Sequence, residues 1–220
     1  MADAPWVLHG EGLLAWLPRP PGGVTLPPGL SPAPGLAAVV GMRYDDSPVG
    51  PYSELSVLVP ARLGLRPGWC TVTMVVTSAD ARRACRGAWG LPAELGGLYW
   101  TDAEAGAERS VSWSDRGVTL SGRAHGPAVL APLVPMPVRS VGWRAGDPVV
   151  LARRLRARAR FAHCEVEVKD GDDLAWAAGR HRGLDLAGAR IVAAPARRPA
   201  GLLSSVPWPE RAVAAPEPAG

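Results

Sequence analysis

Apolar and polar residues alternate with period two over Tyr52–Val59 (YSELSVLV). Leu55, Val57 and Val59 share one face with Ser53, and Tyr52, Glu54, Ser56 and Leu58 share the other, as on a β-strand. Ala37–Arg43 (AAVVGMR) reads as a shorter strand. The DDSPVG segment between the two carries turn chemistry, with Asp and Ser opening the turn and Pro48 and Gly50 shaping it. Cys70–Thr77 (CTVTMVVT) is β-branched and apolar, which predicts a buried strand. A helix is expected next. Ser78 is its N-cap, Asp80 sits in the first turn, Arg82, Arg83 and Arg86 lie further along, Gly87 weakens it, and Gly90 with Pro92 ends it.

Ser110–Trp113 and Val118–Arg123 flank Ser114-Asp115-Arg116-Gly117 and predict a β-hairpin with a tight loop. Val149–Val168 is a long strand-like stretch, one strand or two, closed by the Asp170-Gly171-Asp172 turn. Leu174–Ala178 fits a single helical turn and Leu184–Ala193 a last strand. Residues 19–35 are proline-rich and predict an irregular, extended segment. The Ala/Pro-rich tail over 212–220 is expected to fray, leaving a single domain over 1–211.

Composition narrows the picture. The 220 residues can bury a real core. With 26 glycines and 24 prolines spread along the chain, short apolar runs are punctuated too often for a helical bundle or coiled coil. The expectation is an α+β fold, mostly antiparallel β. No apolar run approaches the ~20 residues of a membrane span, and the longest, Ala128–Val138, is broken by Pro132, Pro135 and Pro137. The opening MADAPWVLHGEG has no basic region followed by an apolar stretch, so no secretory signal is expected. Cys70, Cys85 and Cys164 lie far apart, which argues against a disulfide framework or a zinc site and for a reducing cytoplasm. A net charge of +4, mostly dispersed, does not call for nucleic acid. No P-loop, GxGxxG, GxSxG or HExxH is present, so neither a nucleotide cofactor nor a metal is expected.

The segment SPVGPYSE (47–54), followed by GAWGLP (87–92) within ARRACRGAWGLPAELGGLYW, resembles the acetoacetate decarboxylase-like family. The resemblance is best over residues 42–100 and continues through GRHRGLDLAGARIVAAP. It implies a mostly antiparallel sheet curled into a closed, cone-like β-barrel with a few helices, and oligomeric relatives. It also implies a chemistry in which a lysine amine condenses with the ketone of a β-keto acid and the iminium accepts the electrons left when carbon dioxide departs. In the family the reactive lysine and a second one directly follow the proline of the WGxP-type motif. Those positions are Ala93 and Glu94 here. The family's N-terminal arginine falls at Glu11 and a further carboxylate near Val39, while the carboxylate after the GPY-type turn is retained as Glu54. Of the 24 basic residues 23 are arginine, and the single lysine, Lys169, stands before the Asp170-Gly171 turn. The resemblance therefore carries the scaffold and a ligand cavity without the imine-forming amine.

The candidate site consists of Glu54 and Glu94 as acid/base groups, with Tyr52, Trp89, Pro92, Ala93, Trp100 and Glu11 lining the ligand. By pattern alone Glu54 could sit on a solvated sheet face; the resemblance turns it into the barrel, where a carboxyl would have a raised pKa. If Glu94 faced it, the two would share a proton. Arg154, Arg156, Arg158 and Arg160 alternate with smaller residues and define one face of a strand, either solvated or available to an anion or a second subunit. His9, His125, His163 and His181 are scattered, without metal-ligand spacing. The function expected is binding of a small carbonyl or carboxylate compound without Schiff-base decarboxylation, in a homo-oligomer. The alternative is a lyase, isomerase or cyclase working through Glu54 with Glu94.

Overall fold

A computed structural model of the chain describes residues 5–18, 20, 24–102, 108–131, 137–144 and 147–198. The tail expected over 212–220, and Pro132 and Pro135 of the proline-broken run, lie outside the described residues. The strands are β1 (Trp6–Leu17), β2 (Leu30–Pro32), β3 (Ala37–Asp46), β4 (Tyr52–Leu63), β5 (Arg66–Val76), β6 (Ala93–Leu95), β7 (Leu98–Asp102), β8 (Glu108–Trp113), β9 (Val118–Ala131), β10 (Pro137–Arg144), β11 (Asp147–Val168) and β12 (Gly179–Ala193). One α-helix, α1 (Ala79–Trp89), is present among the described residues.

Hydrogen bonding follows the order β10-β5-β4-β3-β1-β12-β11, and β11 pairs back onto β10. These strands close a barrel with antiparallel neighbours throughout, except for the short parallel contact of Ser140 and Val141 with Trp69 and Cys70. Closure depends on the length of β11. Its first half pairs with β10 (Val149 opposite Gly142), and its second half pairs with β9 (Cys164 opposite Gly122). From β9 the sheet continues through β8 to β7, and this second layer covers the outer face of β1, β3 and β4.

Two cores result. Inside the barrel lie Trp6, Met42, Tyr44, Tyr52, Met74, Val76, Leu151 and Leu186 with the buried face of α1. Between barrel and outer layer lie Leu13, Val39, Leu55, Val57, Val75, Val111, Trp113 and Leu120. The period-two pattern of β4 sorts its residues between them, with Leu55 and Val57 toward the outer layer and Tyr52 inward. Over residues 54–59 both faces of β4 are therefore dry, as in a sheet covered on each side.

The helix forms as its caps predict. The Ser78 hydroxyl accepts from the Ala81 N–H at 3.3 Å, and Gly90 ends the helix in the left-handed conformation at φ 61°. Gly87 does not interrupt it. Ala81, Ala84, Cys85 and Trp89 turn inward, and the Gly90 carbonyl accepts from Trp143 N–H of β10 at 2.7 Å. The helix is thereby fastened to one end of the barrel.

Several elements differ from the sequence expectation. β1 was not foreseen, because Gly10 and Gly12 break its apolar run. They are glycines for a physical reason: a Cβ at either would stand 2.0–2.2 Å from a carbonyl oxygen of β3. β1 alternates without interruption, with Trp6 and Leu8 facing the barrel and Leu13, Ala15 and Leu17 the outer core, and the register shift at Gly10–Gly12 is taken up by β12, where Ala187 and Gly188 stand opposite Glu11 alone. The 149–168 stretch is one continuous strand, Asp147–Val168. β12 begins at Gly179, earlier than the expected Leu184. The proline-rich segment contains the three-residue β2.

Candidate functional site

Glu54 is the third residue of β4, opposite Met42 of β3 and Val76 of β5. Alternation aims its side chain into the barrel, where only 5% of the residue is exposed. The Tyr44 hydroxyl donates a hydrogen bond to the carboxylate. Tyr52 stands directly across the hairpin from Tyr44, with ring centroids 4.8 Å apart. Arg153 of β11, half-buried and in phase with the inward Leu151 and Leu155, supplies the positive charge that acts on Glu54. Cys85 of α1 completes the group.

The electrostatics follow from this burial. Loss of water pushes the Glu54 carboxyl above its ordinary value, and the Arg153 charge and the Tyr44 hydrogen bond only partly oppose it. Burial, reinforced by the Glu54 charge, raises the hydroxyls of Tyr44 and Tyr52 well above the ordinary tyrosine value. The Cys85 thiol is pushed up to about 12 by burial, which leaves it protonated and inert at neutral pH. The arrangement is one acid held toward its neutral form, with a hydroxyl donor on it and the Arg153 charge acting on it without an ion-pair contact. It can hydrogen-bond a carbonyl, fix a carboxylate against Arg153, or exchange a proton with a bound compound.

The residues anticipated from sequence divide into two sets. Tyr52, Trp89 and Ala93 join Glu54 in the barrel core. Trp89 is buried against Trp6 at 4.7 Å, edge to face, and its Nε1–H has no protein acceptor. Ala93 is fully buried beside Met74. The others lie elsewhere. The register of β6 sets Ala93 beside the inward Met74, and on a strand the next residue faces the opposite way, here beside the outer-core Val75. Glu94 is exposed, and it does not share a pocket or a proton with Glu54. Pro92 is exposed as well. Trp100 belongs to β7 in the outer layer, where its Nε1–H donates to Ser53 Oγ at 3.1 Å and the Arg43 guanidinium lies 5.4 Å from its ring centroid. Glu11, on the outward face of β1, pairs with Arg43 and with Arg109 (3.1 Å) in that same layer.

Three members of the site were not anticipated: Tyr44, Cys85 and Arg153. Arg153 left a signal in the sequence. It adjoins Arg154, and on a strand two neighbours cannot face the same way. Arg154, Arg156 and Arg158 are exposed, while Arg160 is half-buried and acts on Asp185. Lys169 is exposed in the turn after β11, its backbone N–H bonded to the Gly117 carbonyl. Among the described residues no three His, Cys, Asp or Glu side chains are grouped to hold a metal, and no helix is long and apolar enough to cross a membrane.

The sequence model of the family described as acetoacetate decarboxylase matches residues 24–157, more than half of the chain. The chain belongs to that family. Solved structures share the fold at low identity. The enduracididine biosynthesis enzyme MppR complexed with pyruvate is 18% identical, with a TM-score of 0.69 over 90% of this chain and 91% of that one. The acetoacetate decarboxylase of Legionella pneumophila is 13% identical, with a TM-score of 0.71 over 89% and 87%. An acetoacetate decarboxylase-like enzyme from Sphingomonas wittichii is 16% identical, with a TM-score of 0.69 over 89% and 94%. A comparison with curated proteins gives no match.

Proposed function

We propose that this member of the family binds a small carboxylate or carbonyl compound inside the barrel, against Glu54, Arg153 and Tyr44, and forms no imine with it. The observation that carries the reading is the Glu54 carboxyl, buried in the barrel with the Tyr44 hydroxyl on it and the Arg153 charge acting on it. A buried carboxyl is costly unless it is hydrogen-bonded, paired or protonated, and these neighbours suit a ligand bearing the same groups. The likeness to a protein solved with pyruvate supports the ligand class. Trp89 supports it too, since its buried Nε1–H is a donor without a protein acceptor. Ala93 and Glu94 offer no amine, and Lys169 is exposed in a turn.

The raised Glu54 carboxyl favours a second reading, in which it acts as general acid or base in a lyase, isomerase or cyclase reaction, with Tyr44 rather than Glu94 beside it. A cytoplasmic location, suited to three free cysteines, and self-association of copies belong to the same proposal.

The test is calorimetric titration of pyruvate and acetoacetate into the full chain, followed by borohydride treatment and intact mass. Reversible binding that weakens in Glu54→Gln and Arg153→Met, with no added mass, is expected. An adduct mapped to Lys169 sinks the claim about imines. Binding untouched by both substitutions sinks the site.

A further inference from the structure

The two faces of α1 have opposite character. Ala81, Ala84, Cys85 and Trp89 are spent on the barrel, so Arg82, Arg83 and Arg86 stand on the solvent side. The bond from Trp143 N–H to the Gly90 carbonyl brings the end of β10 alongside the helix. Between the two elements lies an open groove of about 510 Å³, and its walls include Arg82, Arg83, Arg86, Trp143 and Arg144.

Four arginines from two separate elements thus line one concavity, and no residue lining it is acidic. Arg83 is answered by Asp80 at 2.6 Å. Arg82, Arg86 and Arg144 have no ion-pair partner among the described residues. Like charges gathered on a concave surface attract a multivalent anion more strongly than the same charges dispersed. The guanidinium fork matches phosphate oxygens in two-point hydrogen bonds, and the half-buried Trp143 gives the groove an apolar wall. Its volume lies within the range of roughly 300–1,000 Å³ typical of small-molecule sites.

We propose that this groove binds a polyphosphate-bearing small molecule, with its phosphates on Arg82, Arg86 and Arg144 and any organic portion against Trp143. No P-loop is needed, since side chains rather than a glycine-rich backbone hold the phosphates. A nucleoside triphosphate and free inorganic tripolyphosphate carry the same recognition chemistry.

The test is calorimetric titration of the full chain with inorganic tripolyphosphate, ATP and citrate at low and at moderate salt. Tripolyphosphate should bind, more weakly as salt rises. The Arg86→Ser/Arg144→Ser variant should lose about tenfold or more in affinity with an unchanged melting temperature. Arg154→Ser/Arg156→Ser, on the outer face of β11, should bind as the parent does. ATP binding more tightly than tripolyphosphate identifies a nucleotide as the occupant, and equal affinity identifies the phosphate chain alone; both support the proposal. No binding at low salt overturns it, as does affinity unchanged in the groove variant or equally reduced in the β11 variant. Citrate binding as tightly, with the same dependence on Arg86 and Arg144, overturns the assignment to phosphate.

Discussion

Tyr44 and Tyr52 face each other across the β3–β4 hairpin with rings 4.8 Å apart and tilted by 48°, and the Tyr44 hydroxyl donates to Glu54 two residues further along β4. The hairpin register thus places an acid, its hydrogen-bond donor and an aromatic neighbour together before any other element is added. Arg153 then arrives from β11, 99 residues after Glu54 in the chain.

Tyr44→Phe keeps the ring pair and removes the donor. A buried acceptor left short of a partner costs about 1–3 kcal/mol, so the urea midpoint should fall with the slope unchanged. The loss should be larger at high pH, where the Glu54 carboxylate needs the bond, than at low pH. An equal loss at both extremes would show that the hydroxyl serves packing alone.

The Glu54 carboxyl ionises at higher pH in the fold than in the unfolded chain, whose reference value is 4.5. A raised carboxyl makes the fold bind the proton more tightly than the unfolded chain does. The associated stability is present below pH 4.5 and is lost as pH rises through the folded value. Glu54→Gln has no such proton to lose. Stability measured by urea unfolding from pH 4 to 8 should therefore shift in favour of the variant as pH rises. Asp185, also raised by burial, is common to both proteins and drops out of the difference. A variant that falls further behind the parent as pH rises would mean that Arg153 and Tyr44 outweigh the burial. Should the protein catalyse a proton transfer, Glu54→Gln should lose about 10²–10⁴ in rate with affinity nearly intact.

Part of this site was legible in the sequence, and the illegible part has definite causes. Period two over Tyr52–Val59 put Glu54 opposite in face to Leu55 and Val57, and the resemblance turned that face inward. The caps at Ser78 and Gly90 bounded α1. Glu94 could not be placed without knowing that β6 pairs in parallel with β5 at Met74 and Val75, because a shift of one residue reverses every side chain. Glu11 and Trp100 depended on a second layer over the barrel, and β7, which supplies Trp100, was not read as a strand. The proline-broken run, which ends at Val138, hid the start of β10 at Pro137.

Two glycine and serine substitutions separate the helix caps from the helix anchor. Ser78→Ala removes a hydroxyl that satisfies one N–H of the first turn, worth about 1 kcal/mol. Gly90→Ala should cost more. Its φ of 61° is unfavourable for alanine, and the new Cβ would stand 2.2 Å from the Trp143 carbonyl oxygen. The backbone strain alone is about 1–3 kcal/mol, and the overlap must also push α1 away from β10. Both are read in urea midpoints, and equal costs would argue that the Gly90–Trp143 contact yields easily.

Glu11 provides the sharpest division between structure and function. Its carboxylate joins Arg43, Arg109, Asp102 and Asp185 in one network between the barrel and the outer layer. Arg109 lies 3.1 Å from both Glu11 and Asp185. Arg109 and Asp185 are nearly dry, with side chains 12% and 7% exposed, whereas Glu11 keeps 26%. Removing the central cation strands carboxylates in a poorly hydrated place, and losing one partner of a buried pair costs about 3–5 kcal/mol. Arg109→Met should therefore be among the most destabilising changes in the outer layer. Glu11→Gln keeps the shape and removes one charge from a half-wet position, so about 1–2 kcal/mol is expected. Ligand binding in the barrel should survive Glu11→Gln, because its carboxylate is committed to Arg43 and Arg109 rather than to the face that holds Glu54. Calorimetry of pyruvate with the Glu11→Gln protein, beside its urea midpoint, decides the matter. A stable variant that no longer binds would return Glu11 to the ligand site.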